Sequence, residues 1–164
     1  MFSSALIDEA ARLLDSFRAA EKRLVTAESC TGGLITALLT EIPGSSDVLE
    51  RGYVTYSNAA KQEDLGVSAS VLAAHGAVSE AVARAMAEGA LVQSHADIAV
   101  SVTGIAGPSG GADKKPIGLV YLAIALREGR TLHRECRFGD IGRGRIRLNC
   151  VEVALSLLHL ALAG

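Results

Sequence analysis

Val25-Thr26-Ala27-Glu28-Ser29-Cys30-Thr31-Gly32-Gly33 is the stretch that decides the fold. Leu24 and Val25 read as the end of a buried strand, and Leu34, Ile35, Leu38 and Leu39 then repeat at helical spacing. Two hydroxyls, a thiol and two glycines therefore share one strand-to-helix turn. A helix N-terminus leaves N–H groups unpaired and carries partial positive charge. Such a turn can hold a phosphate, a carboxylate or a developing oxyanion, and glycine lets a ligand come close to the backbone. Ser and Thr before a helix also serve simply as caps. The segment is neither a Walker loop nor a nucleophile elbow, because no Gly-Lys-Ser/Thr follows and no glycines flank Ser29.

Outward from this turn, strands and helices alternate. Residues 3–20 place Leu6, Ala10, Leu13, Leu14 and Phe17 on one helical face. Residues 23–27 read as the first strand, 32–40 as a helix, and 52–56 as a second strand rich in β-formers. Ser57-Asn58 caps a short helix that ends at Gly66, a further short helix covers 71–75, and Ser79 caps a longer one to about residue 94. Residues 98–102 carry no charge and read as a strand buried on both faces. A Gly/Pro-rich loop spans 104–118. Strands over 117–126 and 131–138 then form a hairpin around Arg127-Glu128-Gly129-Arg130, and residues 146–162 read as the last helix. This order predicts one α/β domain over 1–164, a three-layer α/β/α sandwich with a mixed sheet of about five strands.

Ligands of such sheets bind at the C-terminal ends of the parallel strands. Three chemistry-bearing segments fall there: Ser29 to Gly33, Tyr56 to Lys61, and Thr103 to Gly111. Tyr56, Asn58 and Lys61 gather a phenol, a carboxamide and an amine at one strand-helix junction. Lys61 lies in the first helical turn, where the dipole opposes its charge and favours a neutral base. Thr103, Gly104, Gly107 and Gly111 form a loop able to wrap a small anion, with Lys114 and Lys115 at its end. The basic helix start from Gly139 to Arg147 offers a phosphate clamp from one of Arg143, Arg145 and Arg147, with Arg145 as the candidate. Glu28 reads as a base beside Ser29 or as a local cap, and Cys30 as a rival nucleophile or a buried thiol.

Composition narrows the class. Of 164 residues, 49% are hydrophobic, 21% charged and 4% aromatic, and the net charge is −2. With no Trp and no basic excess, neither a base-stacking platform nor a nucleic-acid footprint is expected. The apolar stretch 151–162 is interrupted by Glu152, Ser156 and His159 and is too short to cross a bilayer. No secretory signal is visible. The three cysteines lack metal spacing, so a reducing cytoplasm and a metal-free site without cofactor are expected. A small, apolar-rich, nearly neutral chain also suggests a homo-oligomer, most simply a two-fold dimer.

The chain resembles the C-terminal domain of the competence/damage-inducible CinA family, whose members include nicotinamide mononucleotide deamidases of the PncC type. The matching residues are Ala27-Glu28-Ser29-Cys30-Thr31-Gly32-Gly33, Val54-Thr55-Tyr56-Ser57-Asn58 with Lys61, and His75-Gly76-Ala77-Val78-Ser79-Glu80. Thr103-Gly104-Ile105-Ala106-Gly107-Pro108 with Gly110-Gly111, and Lys115-Pro116-Ile117-Gly118, complete the match, which runs from about residue 5 to the end. Larger members carry an N-terminal molybdopterin-cofactor-like domain, so the stand-alone form is expected. The resemblance implies metal-free hydrolysis of nicotinamide mononucleotide to nicotinic acid mononucleotide and ammonia. It implies Ser29 as nucleophile, with Lys61 and Tyr56 moving the proton. Thr31, Gly32 and Gly33 would supply oxyanion N–H groups, and Asn58, Thr103 and the loop to Gly111 would hold ribose or phosphate. A non-catalytic nucleotide-binding module and a serine amidase for another carboxamide remain open alternatives.

Overall fold

The computed structural model describes residues 2–164. Its elements are α1 (Ser4–Ala19), β1 (Leu24–Glu28), α2 (Leu34–Thr40), a short 3-10 turn (Ser45–Asp47), β2 (Leu49–Val54), α3 (Asn58–Leu65), α4 (Ala69–His75), α5 (Glu80–Val92), β3 (Ile98–Gly104), β4 (Leu119–Leu126), β5 (Thr131–Arg137) and α6 (Arg143–Ala163). The five-stranded sheet has the order β2-β1-β3-β4-β5. β1 runs parallel to β2 and β3, and the β3–β4 and β4–β5 pairs are antiparallel. Helices cover both faces, as the three-layer reading expects.

The two faces differ in side-chain size. Ile98, Val100 and Val102 of β3 and Val120, Leu122, Ile124 and Leu126 of β4 join the core under α1, α2 and α6. The alternate positions, Ala99, Ala123 and Ala125, face α5, which answers with Ala83, Ala87 and Ala90. Successive strand residues point to opposite faces, so this alternation lets α5 lie close on one side while branched side chains fill the other. Ser101 Oγ donates to the Ala83 carbonyl at 2.6 Å across that close contact.

Several boundaries shift from those expected, each for a local reason. α2 begins at Leu34, because Gly32 and Gly33 adopt φ of +59° and +96° and make a turn no helix can include. β2 is Leu49–Val54 rather than 52–56, leaving Tyr56 in the connection to α3. α6 starts at Arg143, three residues early, and runs 21 residues. Among the described residues it is the one helix long and apolar enough to cross a membrane, where the sequence suggested a shorter stretch. It buries Ile146, Cys150, Val151, Ala154, Leu155 and Leu158 in the core.

Candidate active site

The turn after β1 carries Ser29 at the sheet's C-terminal edge. Ser29 N–H donates to the Val102 carbonyl of β3 at 3.0 Å, which fixes the backbone beside the neighbouring strand. Across the cleft, Ser57 caps α3 by accepting from Ala60 N–H at 3.0 Å. Lys61 closes the first turn of that helix and is 2% exposed. Its Nζ lies 3.0 Å from Ser29 Oγ and 2.8 Å from the Thr55 carbonyl oxygen. Both partners are neutral. Burial disfavours the ammonium and holds Lys61 below the usual lysine range, opposed by the nearby Cys30 thiol. A serine hydroxyl and a buried amine thus sit in direct contact.

These two residues form the floor of a cavity of about 290 Å³, whose walls include Tyr56, Asn58, Thr103, Gly104, Gly107 and Arg143. Thr103 Oγ1 donates to the Ala77 carbonyl at 2.8 Å and so ties the wall to the α4–α5 connection. Tyr56 is 61% exposed and sits at the rim. Its hydroxyl accepts from Arg143 Nη2 at 2.7 Å, while Arg143 Nη1 donates to the Gly107 carbonyl at 2.9 Å. Arg143 therefore bridges two walls and keeps further N–H groups free. Tyr56 makes no hydrogen bond to Ser29 or Lys61.

Arg145, the arginine expected to clamp a phosphate, does not line this cavity. That residue is exposed and borders a separate cavity with Phe2, Ser3 and Leu148. Helix geometry gives the reason. At 3.6 residues per turn, Arg143, Arg147 and Cys150 lie on one face, and Arg145 points away from it. Arg147 donates to the Cys30 and Thr31 carbonyls at 3.1 and 2.8 Å, pinning the nucleophile turn to α6. The missed signal was the helix start: reading it at residue 146 hid the 143/147 pairing. Thr31, Gly32, Gly33 and Gly111 also stand outside the cavity lining, and a Cβ on Gly111 would meet Ile117 at 2.9 Å. Lys114 and Lys115 border an adjoining cavity of about 490 Å³, and Lys115 Nζ is bonded to the His75 carbonyl.

The α2 N-terminus is not open to a ligand, contrary to the sequence expectation. The fully buried Glu28 carboxylate accepts from Ile35 N–H at 3.0 Å and Thr36 N–H at 2.9 Å. Gly32 N–H is spent on the Ser29 carbonyl. Among the described residues, the N–H groups of Cys30, Thr31 and Gly33 have no acceptor. They are the unspent donors of the turn, and Gly32 is not among them.

Cys30 itself belongs to the core under α6, where its thiol meets Cys150. That contact holds Cys30 below the usual thiol range and pushes Cys150 above it. No group of three or more His, Cys, Asp or Glu side chains is placed to hold a metal among the described residues.

The sequence model of the CinA C-terminal domain matches residues 7–162. A CinA-like protein of Anaeromyxobacter sp. (strain K) is 52% identical over 141 residues, covering 86% of this chain and 34% of its own length. A CinA-like protein of Mycobacterium marinum is 48% identical over 160 residues, covering 98% of this chain and 36% of its own. The chain thus spans about a third of the length of the curated relatives it matches. Among solved structures, the competence/damage inducible protein CihA from Agrobacterium tumefaciens superposes with a TM-score of 0.96 at 51% identity, covering 100% of this chain and 99% of that one. A CinA superfamily protein from Klebsiella pneumoniae gives 0.92 at 37%, covering 96% and 98%.

Proposed function

The chain belongs to the CinA C-terminal domain family, and from that premise we propose that it is a serine amidohydrolase releasing ammonia from nicotinamide mononucleotide. The observation that carries this reading is the buried contact of Lys61 Nζ with Ser29 Oγ at 3.0 Å. A neutral lysine takes the serine proton as Oγ attacks the carboxamide carbon. The oxyanion falls to the free N–H group of Cys30, the one unspent donor of the turn whose residue lines the cavity. Lys61 returns its proton to the departing ammonia, then draws one from the water that attacks the acyl-enzyme and passes it to Ser29 Oγ as the ester bond breaks and the acid leaves. Arg143 is the cation at the cavity mouth and takes the substrate's phosphate. Asn58, whose carboxamide lines the same wall, takes the ribose.

Each chemical role in this mechanism is filled by a protein group, so turnover is expected to survive exhaustive chelation. The test is ammonia release from nicotinamide mononucleotide before and after chelation, beside a panel of other carboxamides. Release confined to another amide would move the substrate. Release from none, with the nucleotide still bound, would make this a binding module. Loss on chelation restored by one metal would overturn the lysine-serine mechanism.

A further inference from the structure

Glu28 is a buried acid that the proposed chemistry leaves unused. It ends β1 and directly precedes Ser29, yet its carboxylate turns away to the start of α2. Besides Ile35 and Thr36 N–H, Oε1 accepts from Thr36 Oγ1 at 2.9 Å. Thr36 Oγ1 in turn lies 2.6 Å from Thr26 Oγ1 on β1. Gly52 of β2 makes room for that hydroxyl pair, since a Cβ there would fall 2.5 Å from Thr36 Oγ1 and 2.8 Å from Thr26 Oγ1. One side chain therefore fastens together the two ends of the Ser29–Gly33 turn, and a neighbouring strand is shaped to accommodate it.

We propose that Glu28 is the positioning residue of the nucleophile turn. By tying the start of α2 to the end of β1, it fixes Ser29 Oγ against Lys61 Nζ and leaves the N–H group of Cys30 for the oxyanion. It also fills the helix N-terminus with a protein carboxylate, so the substrate's anion is sent to Arg143 instead. A nucleophile displaced by a fraction of an ångström loses rate without losing binding. The proposal rests on the amidohydrolase reading for the substrate and for Ser29 as the nucleophile, and a wild type that fails to label at Ser29 overturns both.

The experiment compares wild type with Glu28→Gln and Thr36→Val, reading kcat and KM for nicotinamide mononucleotide. It also reads the rate of Ser29 labelling by a small neutral phosphonofluoridate, which needs the nucleophile but not the substrate site. Glu28→Gln keeps the shape but turns a donor toward donors. It is expected to lower kcat and the labelling rate together by on the order of 10- to 100-fold, with KM within about twofold. Thr36→Val keeps both backbone bonds to Glu28 and should lower both rates by a smaller factor. It decides the matter if Glu28→Gln does not fold. Variants that lose only thermal stability, or that raise KM at unchanged kcat, overturn the proposal. Wild type that labels at Ser29 but releases no ammonia overturns the substrate reading instead, and Glu28 is then judged by labelling alone.

Discussion

At the scale of the residue, the site turns on one amine kept out of water. Lys61 has no carboxylate partner in its hydrogen bonds, and burial is the leading influence on its protonation. The rate is therefore expected to rise with pH through an ionisation below the ~10.4 of a free lysine. Lys61→Arg should be inactive, because guanidinium does not give up its proton. Near-normal turnover in Lys61→Arg would make Lys61 an electrostatic anchor and not the base. Ser29→Ala should lose orders of magnitude in kcat, as removal of a covalent nucleophile does. Cys30→Ala should fold and keep most activity, since Lys61 bonds to Ser29 and the Cys30 thiol lies in the core. The reverse pattern would transfer the role to Cys30. Tyr56, bonded only to Arg143, is expected to tolerate Tyr56→Phe in the chemical step, with any loss appearing in KM.

At the scale of the element, close approach places Lys61. α5 reaches the sheet over alanines, and its Gly89 meets α3 so tightly that a Cβ there would sit 1.9 Å from the Leu65 carbonyl oxygen. Gly89→Ala must push α3 away, with a cost of about 1–3 kcal/mol by overpacking, and Lys61 moves with the helix. Gly144, in the first turn of α6 with nothing within 4 Å of its would-be Cβ, is the contrast. Gly144→Ala should stabilise by about 0.4–1 kcal/mol. Urea denaturation of both variants checks the pair, and equal effects would deny the close packing. The layers, the hairpin and the three ligand-end segments were legible in the sequence, because each rests on periodicity or turn chemistry. The pairing of Lys61 with Ser29 was legible only through the family resemblance, because residue spacing does not say that β1 and β2 lie side by side. The α6 face was not legible: a basic, glycine-rich start obscured the helix boundary, and a three-residue error rotates the chosen arginine off the site. Nor was the closure of α2 by Glu28, because a carboxylate before a serine reads equally as base or cap until the turn's direction is known.

At the scale of the whole molecule, the buried Lys61 amine sets a cost against folding. The folded value of Lys61 lies below its unfolded value, so over that interval the unfolded chain binds more protons and stability rises with pH. The cost is fully present below the folded value, shrinks as pH climbs toward ~10.4, and is gone above it. Cys136 and Cys150 act in the opposite sense. Burial raises Cys136, contact with Cys30 raises Cys150, and both favour unfolding once free thiols ionise above about pH 8.5. Lys61→Met leaves those two thiols in place, so their contributions cancel in the difference, which reports Lys61 together with its coupling to Cys30. The absolute offset includes the Thr55 carbonyl, which loses its 2.8 Å donor. The slope does not include it. Urea denaturation between about pH 6 and pH 10 should show wild type gaining on Lys61→Met as pH rises, until the curves run parallel near the free-lysine value. Curves parallel throughout would mean that Lys61 carries no folding cost, and the neutral-base reading would lose its physical support.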